Sequence, residues 1–224
     1  MKIIVVIPAY NESLSVAAVV TAVRPLADEV IVVDDGSSDN TASLALSAGA
    51  RVLQHLVNLG YGAALISGSH EALARGADII VHFDADGQFE PSQISAVTAP
   101  IVNNQVEVVF GSRFLGEVVN ISWLRLITLK LAIYFTWFLS GIKLTDAHNG
   151  FRATSRAAWQ KMKLHQSRMA FSSEIVDEVA RQKLHYQEVP VKVRYTTYSR
   201  AHSQQGSWPA LKIIKDIFWN KFLS

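Results

Sequence analysis

The chain has 224 residues, half of them hydrophobic and 18% charged, with no cysteine and a formal net charge of +2. This suits one well-cored α/β domain spanning 1–224 and excludes a disordered or fibrous chain. The lack of cysteine excludes disulfides, thiolate metal sites and Cys nucleophiles, and fits a reducing compartment.

In chain order, short β-branched runs alternate with helical patterns. Lys2 to Ile7, Val30 to Val33, Arg51 to Leu53, Asp78 to Phe83 and Val106 to Phe110 read as strands, apolar almost throughout, as expected where both faces are buried. Ser13 to Val23, Thr41 to Ala48, Tyr61 to Ala74 and Pro91 to Val102 read as helices, with Pro91 suited to a first turn. Such alternation predicts a mostly parallel sheet with helices on both faces. The opening apolar run is too short for a signal peptide, so a cytoplasmic location is expected.

In such sheets ligands bind beyond the carboxyl ends of the strands. The polar clusters fall there: Pro8 to Glu12 after the first strand, Asp34 to Ser37 after the second and Asp84 to Gln88 after the fourth. Asp84 and Asp86, one residue apart, either form a turn with a helix N-cap or face one hard cation, Mg²⁺ or Mn²⁺. Tyr10 can stack on a base, Glu12 and Asp35 can accept hydrogen bonds from base or ribose, and Gly36 lets backbone approach closely. The alternative is a set of turns and caps.

Charge divides along the chain. Residues 1–110 carry 4 Lys/Arg against 12 Asp/Glu, a balance of −8, and residues 111–224 carry 17 against 7, a balance of +10. An acidic half suits divalent cations, and a basic half suits phosphate or an anionic membrane surface, unless charges have merely collected on solvated faces. No nucleic-acid partner is expected.

The segments Pro8 to Glu12, Val33 to Thr41, Asn58 to Ala64, Asp84 to Gln88 and Gly111-Ser112-Arg113 resemble, in order and spacing, the family 2 glycosyltransferases. Asp146 to Arg152, Glu174 and Glu188-Val189-Pro190-Val191 are similar to the branch containing dolichyl-phosphate mannosyltransferase and bacterial polyprenyl-phosphate glycosyltransferases. The resemblance implies a GT-A-type fold and inverting transfer from a UDP- or GDP-sugar to a polyprenyl phosphate, in cell-envelope biogenesis at the inner face of the membrane. By position it implies that Pro8, Tyr10, Glu12, Val33 and Asp35 hold the nucleoside, that Ala85 and Asp86 lie against the donor, and that Asp84, Asp86 and Gln88 hold the metal.

The acceptor is expected to use residues 111–224. Arg113 and Arg152, placed on loops after strands, match a phosphate bidentately, or are surface arginines. An ionised phosphate acceptor needs no strong base; a sugar hydroxyl, as in polysaccharide synthesis, would need one, and Asp146 is the nominee. The branch's usual loop lysine aligns with His202, and Arg194 or Arg200 is expected to supply the charge. His55, His70 and His165 read as structural or exposed.

Residues 121–143 are long enough to suggest a membrane span, but Arg125 and Lys130 would each cost roughly 2.5–3.5 kcal/mol in its core. A polar stripe (Ser122, Arg125, Thr128, Ala132, Thr136, Ser140 and Lys143) beside an apolar face with Trp123, Tyr134 and Trp137 reads instead as an interfacial helix, or as one packed on the core or on a second copy of the chain. Residues 210–222 are a second amphipathic segment, for the bilayer, a membrane subunit or the sheet. A pyrophosphorylase needs a Gly-rich basic loop after the first strand, and an aspartyl phosphatase needs its Asp-x-Asp there; this chain has neither. A non-catalytic partner of a membrane protein is the rival from another class.

Overall fold

The computed structural model describes residues 1–119, 123, 126, 127, 130, 131, 133, 134, 137, 141–147 and 149–195. Seven strands form one sheet: β1 (Ile3–Ala9), β2 (Glu29–Asp34), β3 (Arg51–Gln54), β4 (Ile79–His82), β5 (Val108–Val119), β6 (Arg152–Ser155) and β7 (Tyr186–Arg194), in the order β3-β2-β1-β4-β6-β5-β7. Neighbours pair in parallel except β6, which runs antiparallel to both β4 and β5. The expected mostly parallel sheet is therefore present, with one reversed strand in its interior.

The helices are α1 (Val16–Val23), α2 (Thr41–Ser47), α3 (Tyr61–Ala74), α4 (Ile94–Val102), α5 (Arg156–Lys161) and α6 (Phe171–Arg181). Pro91 does open a helical turn, but a separate 3₁₀ one, Pro91–Gln93, before α4. Strand β5 runs nine residues past its expected end at Phe110 because β7 pairs along it as far as Val119.

Period-two alternation assigns the core. On β1, Val5 and Ile7 join Val16, Val20, Ile94 and Val97 under α1 and α4, while Ile4 and Val6 join Ala64, Leu65, Phe171 and Ile175 under α3 and α6. Both sheet faces are covered, which is why the strands read as continuous apolar runs.

One contact seats α3. The loop at 165–168 is held by the Glu174 carboxylate, which accepts the N–H groups of His165 and Gln166 at 2.9 Å each. Its Ser167 carbonyl accepts the N–H of Ala63 at 3.0 Å. A Cβ on Gly62 would stand 2.2 Å from the Gln166 carbonyl oxygen and 2.7 Å from the Phe171 Cβ, so only glycine permits this approach. Gly62→Ala is expected to destabilise the fold by about 1–3 kcal/mol, as overpacking does, lowering the denaturation midpoint in urea with the slope unchanged.

Candidate active site

Parallel pairing of β1 with β2 on one side and β4 on the other brings three loops together at one sheet edge. The loops after β1 and β2 are stitched by polar side chains. Asn11 takes φ +55°, which asparagine tolerates, and its Oδ1 accepts the N–H of Ser38 at 2.9 Å. The N–H groups of Asn11, Glu12 and Ser13 donate to Ser37 Oγ, Thr41 Oγ1 and Asp39 Oδ2 at 2.9, 2.8 and 3.2 Å. The caps and turns thus bind the two loops to one another.

Asp35, buried at 3% exposure, is held from three directions. Leu59 N–H donates to its Oδ1 at 2.9 Å and Gly60 N–H to its Oδ2 at 2.7 Å. His55 Nδ1 lies 2.7 Å from Oδ1 and donates its proton there, since a carboxylate only accepts; its Nε2 lies 3.0 Å from Ser67 Oγ. His55 was expected to be structural or exposed, and it is structural in service of the site. Its position at the end of β3, beside the end of β2, was the signal available.

Over these loops lies a cleft of about 370 Å³ lined by Pro8, Ala9, Tyr10, Glu12, Asp35, Asn58, Gly60, Tyr61, Ala64, Asp84, Ala85 and Asp86. Six of the seven residues expected at the nucleotide from these loops line it. Val33 does not: its side chain is fully buried in the core, its Cγ2 2.8 Å from where a Cβ on Gly68 would stand.

Asp84 and Asp86 are half-buried on the loop after β4. Tyr61 Oη donates to Asp84 Oδ1 at 3.0 Å, and Gln88 N–H donates to Asp86 Oδ1 at 3.0 Å while the Gln88 amide meets Asp86 Oδ2. Burial raises the pKa of Asp84 above the usual carboxylate range. Burial and the charge of Asp84 push Asp86 up to about 7. Neither carboxylate is salt-bridged among the described residues, so the pair suits a hard divalent cation. No group of three or more His, Cys, Asp or Glu side chains gathers at a potential metal position among the described residues, so a cation here would complete its shell from Gln88, water and ligand oxygens.

The arginines depart from expectation. Arg113 lies within β5 and Arg152 opens β6, so neither is on a loop. Arg113, 7% exposed, donates through Nε to Asp146 Oδ2 and through Nη1 to Tyr195 Oη, both at 2.6 Å. Burial alone would lower its pKa, and Asp146 with Tyr195 holds it above the ordinary value. Arg152 is fully buried, donating to the Asn149 carbonyl at 2.9 Å and Ser172 Oγ at 3.3 Å with its guanidinium over the Phe171 ring. It is neither a surface arginine nor open to the cleft.

Asp146, 1% exposed, is the partner of Arg113, and its loop is fixed by Glu188, which accepts the N–H groups of Thr145 and Asp146 at 2.9 and 3.0 Å. A base for a sugar hydroxyl must face the cleft, and Asp146 does not. Arg194 reaches the loop after β4, its N–H on the Gln88 carbonyl and its Nη2 on Glu90 Oε1, both at 2.9 Å. Arg200, His202 and residues 210–222 lie outside the described residues.

A family model for glycosyl transferase family 2 matches residues 4–162. The chain is a family 2 glycosyltransferase. It is 34% identical over 221 residues to the UDP-N-acetylglucosamine–dolichyl-phosphate N-acetylglucosaminyltransferase of Methanococcus voltae, covering 89% of this chain and 88% of that one. It is 33% identical to the polyprenol monophosphomannose synthase of Mycolicibacterium smegmatis, covering 73% of this chain and 65% of that one. Among solved structures, the glucosyl-3-phosphoglycerate synthase of M. tuberculosis matches with a TM-score of 0.75 at 21% identity, covering 100% of this glycosyltransferase and 82% of that chain. The same synthase in complex with Mn²⁺, UDP-glucose and phosphoglyceric acid gives a TM-score of 0.72, covering 97% and 78%. The GT-A-type fold expected from the resemblance is the fold observed.

The raised pKa of Asp86 has a definite sign. With the folded value near 7 and the unfolded value near 3.8, the folded metal-free protein keeps a proton that the unfolded chain has released. This contribution to stability is complete below the unfolded pKa and is lost as pH rises through the folded one. In EDTA, the stability of Asp86→Asn relative to the parent is expected to increase between about pH 5 and about pH 8, read by urea unfolding.

Proposed function

We propose that this family 2 enzyme is an inverting, divalent-metal-dependent transferase that moves a sugar from a nucleoside-diphosphate sugar to a polyprenyl phosphate. The observation that carries the reading is one cleft lined both by Asp35 and by the Asp84 and Asp86 carboxylates, neither of which is salt-bridged among the described residues. Tyr10, Glu12 and Asp35 bind the nucleoside, and the diphosphate runs toward Asp84, Asp86 and Gln88. A cation bound there supplies Lewis-acid stabilisation of the charge that develops on the departing nucleoside diphosphate.

The relatives named for dolichyl and polyprenol phosphates support the acceptor class. An acceptor phosphate oxygen is ionised at neutral pH and attacks the anomeric carbon without a base, consistent with the engagement of Asp146 by Arg113. Arg152 acts electrostatically from beneath the site, opposing the burial that raises the pKa of Asp84. With an Mg²⁺ or Mn²⁺ donor complex, label is expected to pass from the nucleotide sugar to polyprenyl phosphate and not to the dephosphorylated polyprenol. Asp86→Asn is expected to lower the rate at least about 100-fold. Transfer at the parental rate by that variant would overturn the assignment.

The segment at 121–143 supports work at a membrane surface. Trp123, Ile127, Leu131 and Tyr134 are helical, share one face by their spacing, and are 70, 50, 59 and 66% exposed. Lys130 is exposed nearby, and Lys143 Nζ lies 4.8 Å from the centre of the Trp137 ring. No helix among the described residues is long and apolar enough to cross a membrane. On this reading attachment is peripheral, through the exposed apolar face. Trp123→Glu with Leu131→Glu is expected to reduce co-sedimentation with anionic vesicles about tenfold or more while leaving nucleotide binding unchanged.

A further inference from the structure

The Asn58-Leu59-Gly60-Tyr61-Gly62 segment has a role at its glycines, Gly60 donating its N–H to Asp35 and Gly62 admitting the 165–168 loop. Its tyrosine has none yet. Tyr61 is the first residue of α3, and its hydroxyl, at 3.0 Å, is the hydrogen-bond donor to the Asp84 side chain among the described residues. The backbone at Gly150 closes on this pair: a Cβ there would stand 2.5 Å from Asp84 Oδ2, 2.8 Å from Oδ1 and 2.8 Å from the Tyr61 hydroxyl. Two residues further on, the buried Arg152 guanidinium has Nη1 without a hydrogen-bond partner among the described residues, and its charge acts on both Tyr61 and Asp84.

We infer that Tyr61 is a positioning residue for the metal site, holding the Asp84 carboxylate at a fixed rotation so that Asp84 and Asp86 present their oxygens to one cation. The inference rests on the metal-dependent reading above. Asp84 is constrained in three physically different ways: a hydrogen bond from Tyr61, a backbone wall at Gly150 and a buried positive charge at Arg152. Partners that orient a carboxylate ligand govern metal affinity almost as strongly as the ligand does, typically by about 10–100-fold.

The same element joins both ends of the cleft. Gly60 bonds the base-side carboxylate Asp35, and the next residue bonds the metal-side carboxylate Asp84. The start of α3 thereby sets the spacing between them, and loss of the Tyr61 hydroxyl separates the two functions: metal binding falls and metal-free nucleoside binding does not.

The test is Mn²⁺ binding to the full chain, followed by electron paramagnetic resonance of free Mn²⁺, for the parent and Tyr61→Phe. Binding of UDP and GDP in EDTA and the thermal midpoint are measured in parallel. The expected result is Mn²⁺ affinity weakened about 10–100-fold with nucleotide affinity in EDTA and midpoint unchanged. Gly150→Ala, whose Cβ crowds both the Asp84 carboxylate and the Tyr61 hydroxyl, is expected to weaken Mn²⁺ similarly. Mn²⁺ affinity of Tyr61→Phe within about twofold of the parent overturns the positioning role. Equal losses of midpoint, nucleotide and Mn²⁺ binding also overturn it, in favour of a purely structural tyrosine. A parent that binds no Mn²⁺ at any pH overturns the metal reading itself, and this inference with it.

Discussion

The site depends on holding two like charges together where water reaches only in part. Asp84 and Asp86 stand one residue apart; burial favours the protonated form of each, and the charge of Asp84 adds to it at Asp86. The fold answers with partial compensation. Tyr61 and Gln88 supply hydrogen bonds, and Arg152 supplies a buried positive charge without an ion-pair partner among the described residues. A buried guanidinium bonded to carbonyls and a hydroxyl is costly by itself. Here it and the carboxylate pair are parts of one electrostatic arrangement, and the remaining negative field is what a divalent cation would neutralise.

A second constraint is strand order. Because β1 pairs in parallel with both β2 and β4, the loops after β1 and β2 and the carboxylate loop end side by side. Asn11, Ser37, Asp39 and Thr41 then bind one another across the loops. The hydrogen bonds that satisfy strand ends and helix starts also tie to one another the loops that line the cleft, so the cap reading and the cradle reading rest on the same contacts.

The basic half behaves differently from a row of phosphate-binding arginines. Arg113 becomes a strand residue because β7 pairs along β5 past Phe110, and Arg152 because β6 inserts antiparallel between β4 and β5, pairing His82 with Arg152 and Phe110 with Arg152. Those partners are separated by about forty to seventy residues in the chain, and such pairings leave no local mark on composition or periodicity. Asp146, before β6, meets Arg113 through its carboxylate and Glu188 through its N–H. The expectation that the two arginines would meet an acceptor phosphate came from their predicted loop positions and their motifs, whereas the strands that hold them are set by long-range pairing.

The sequence by itself determined the strand and helix inventory to within a few residues through Phe110, the mostly parallel class, and the acidic cleft residues from Pro8 to Asp86. Each of these follows from local patterning: apolar runs buried on both faces, and polar clusters at their carboxyl ends. Tyr61 and His55 were visible in the sequence, one inside a quoted motif and one set aside as structural, yet neither revealed what it supports. Only tertiary structure decided that Tyr61 bonds Asp84, that His55 bonds Asp35, that Val33 belongs to the core and that Arg152 is fully buried. The physical reason is that hydrogen bonds and desolvation depend on which segments pack together, and packing across a sheet joins residues whose separation along the chain carries no signal of the meeting.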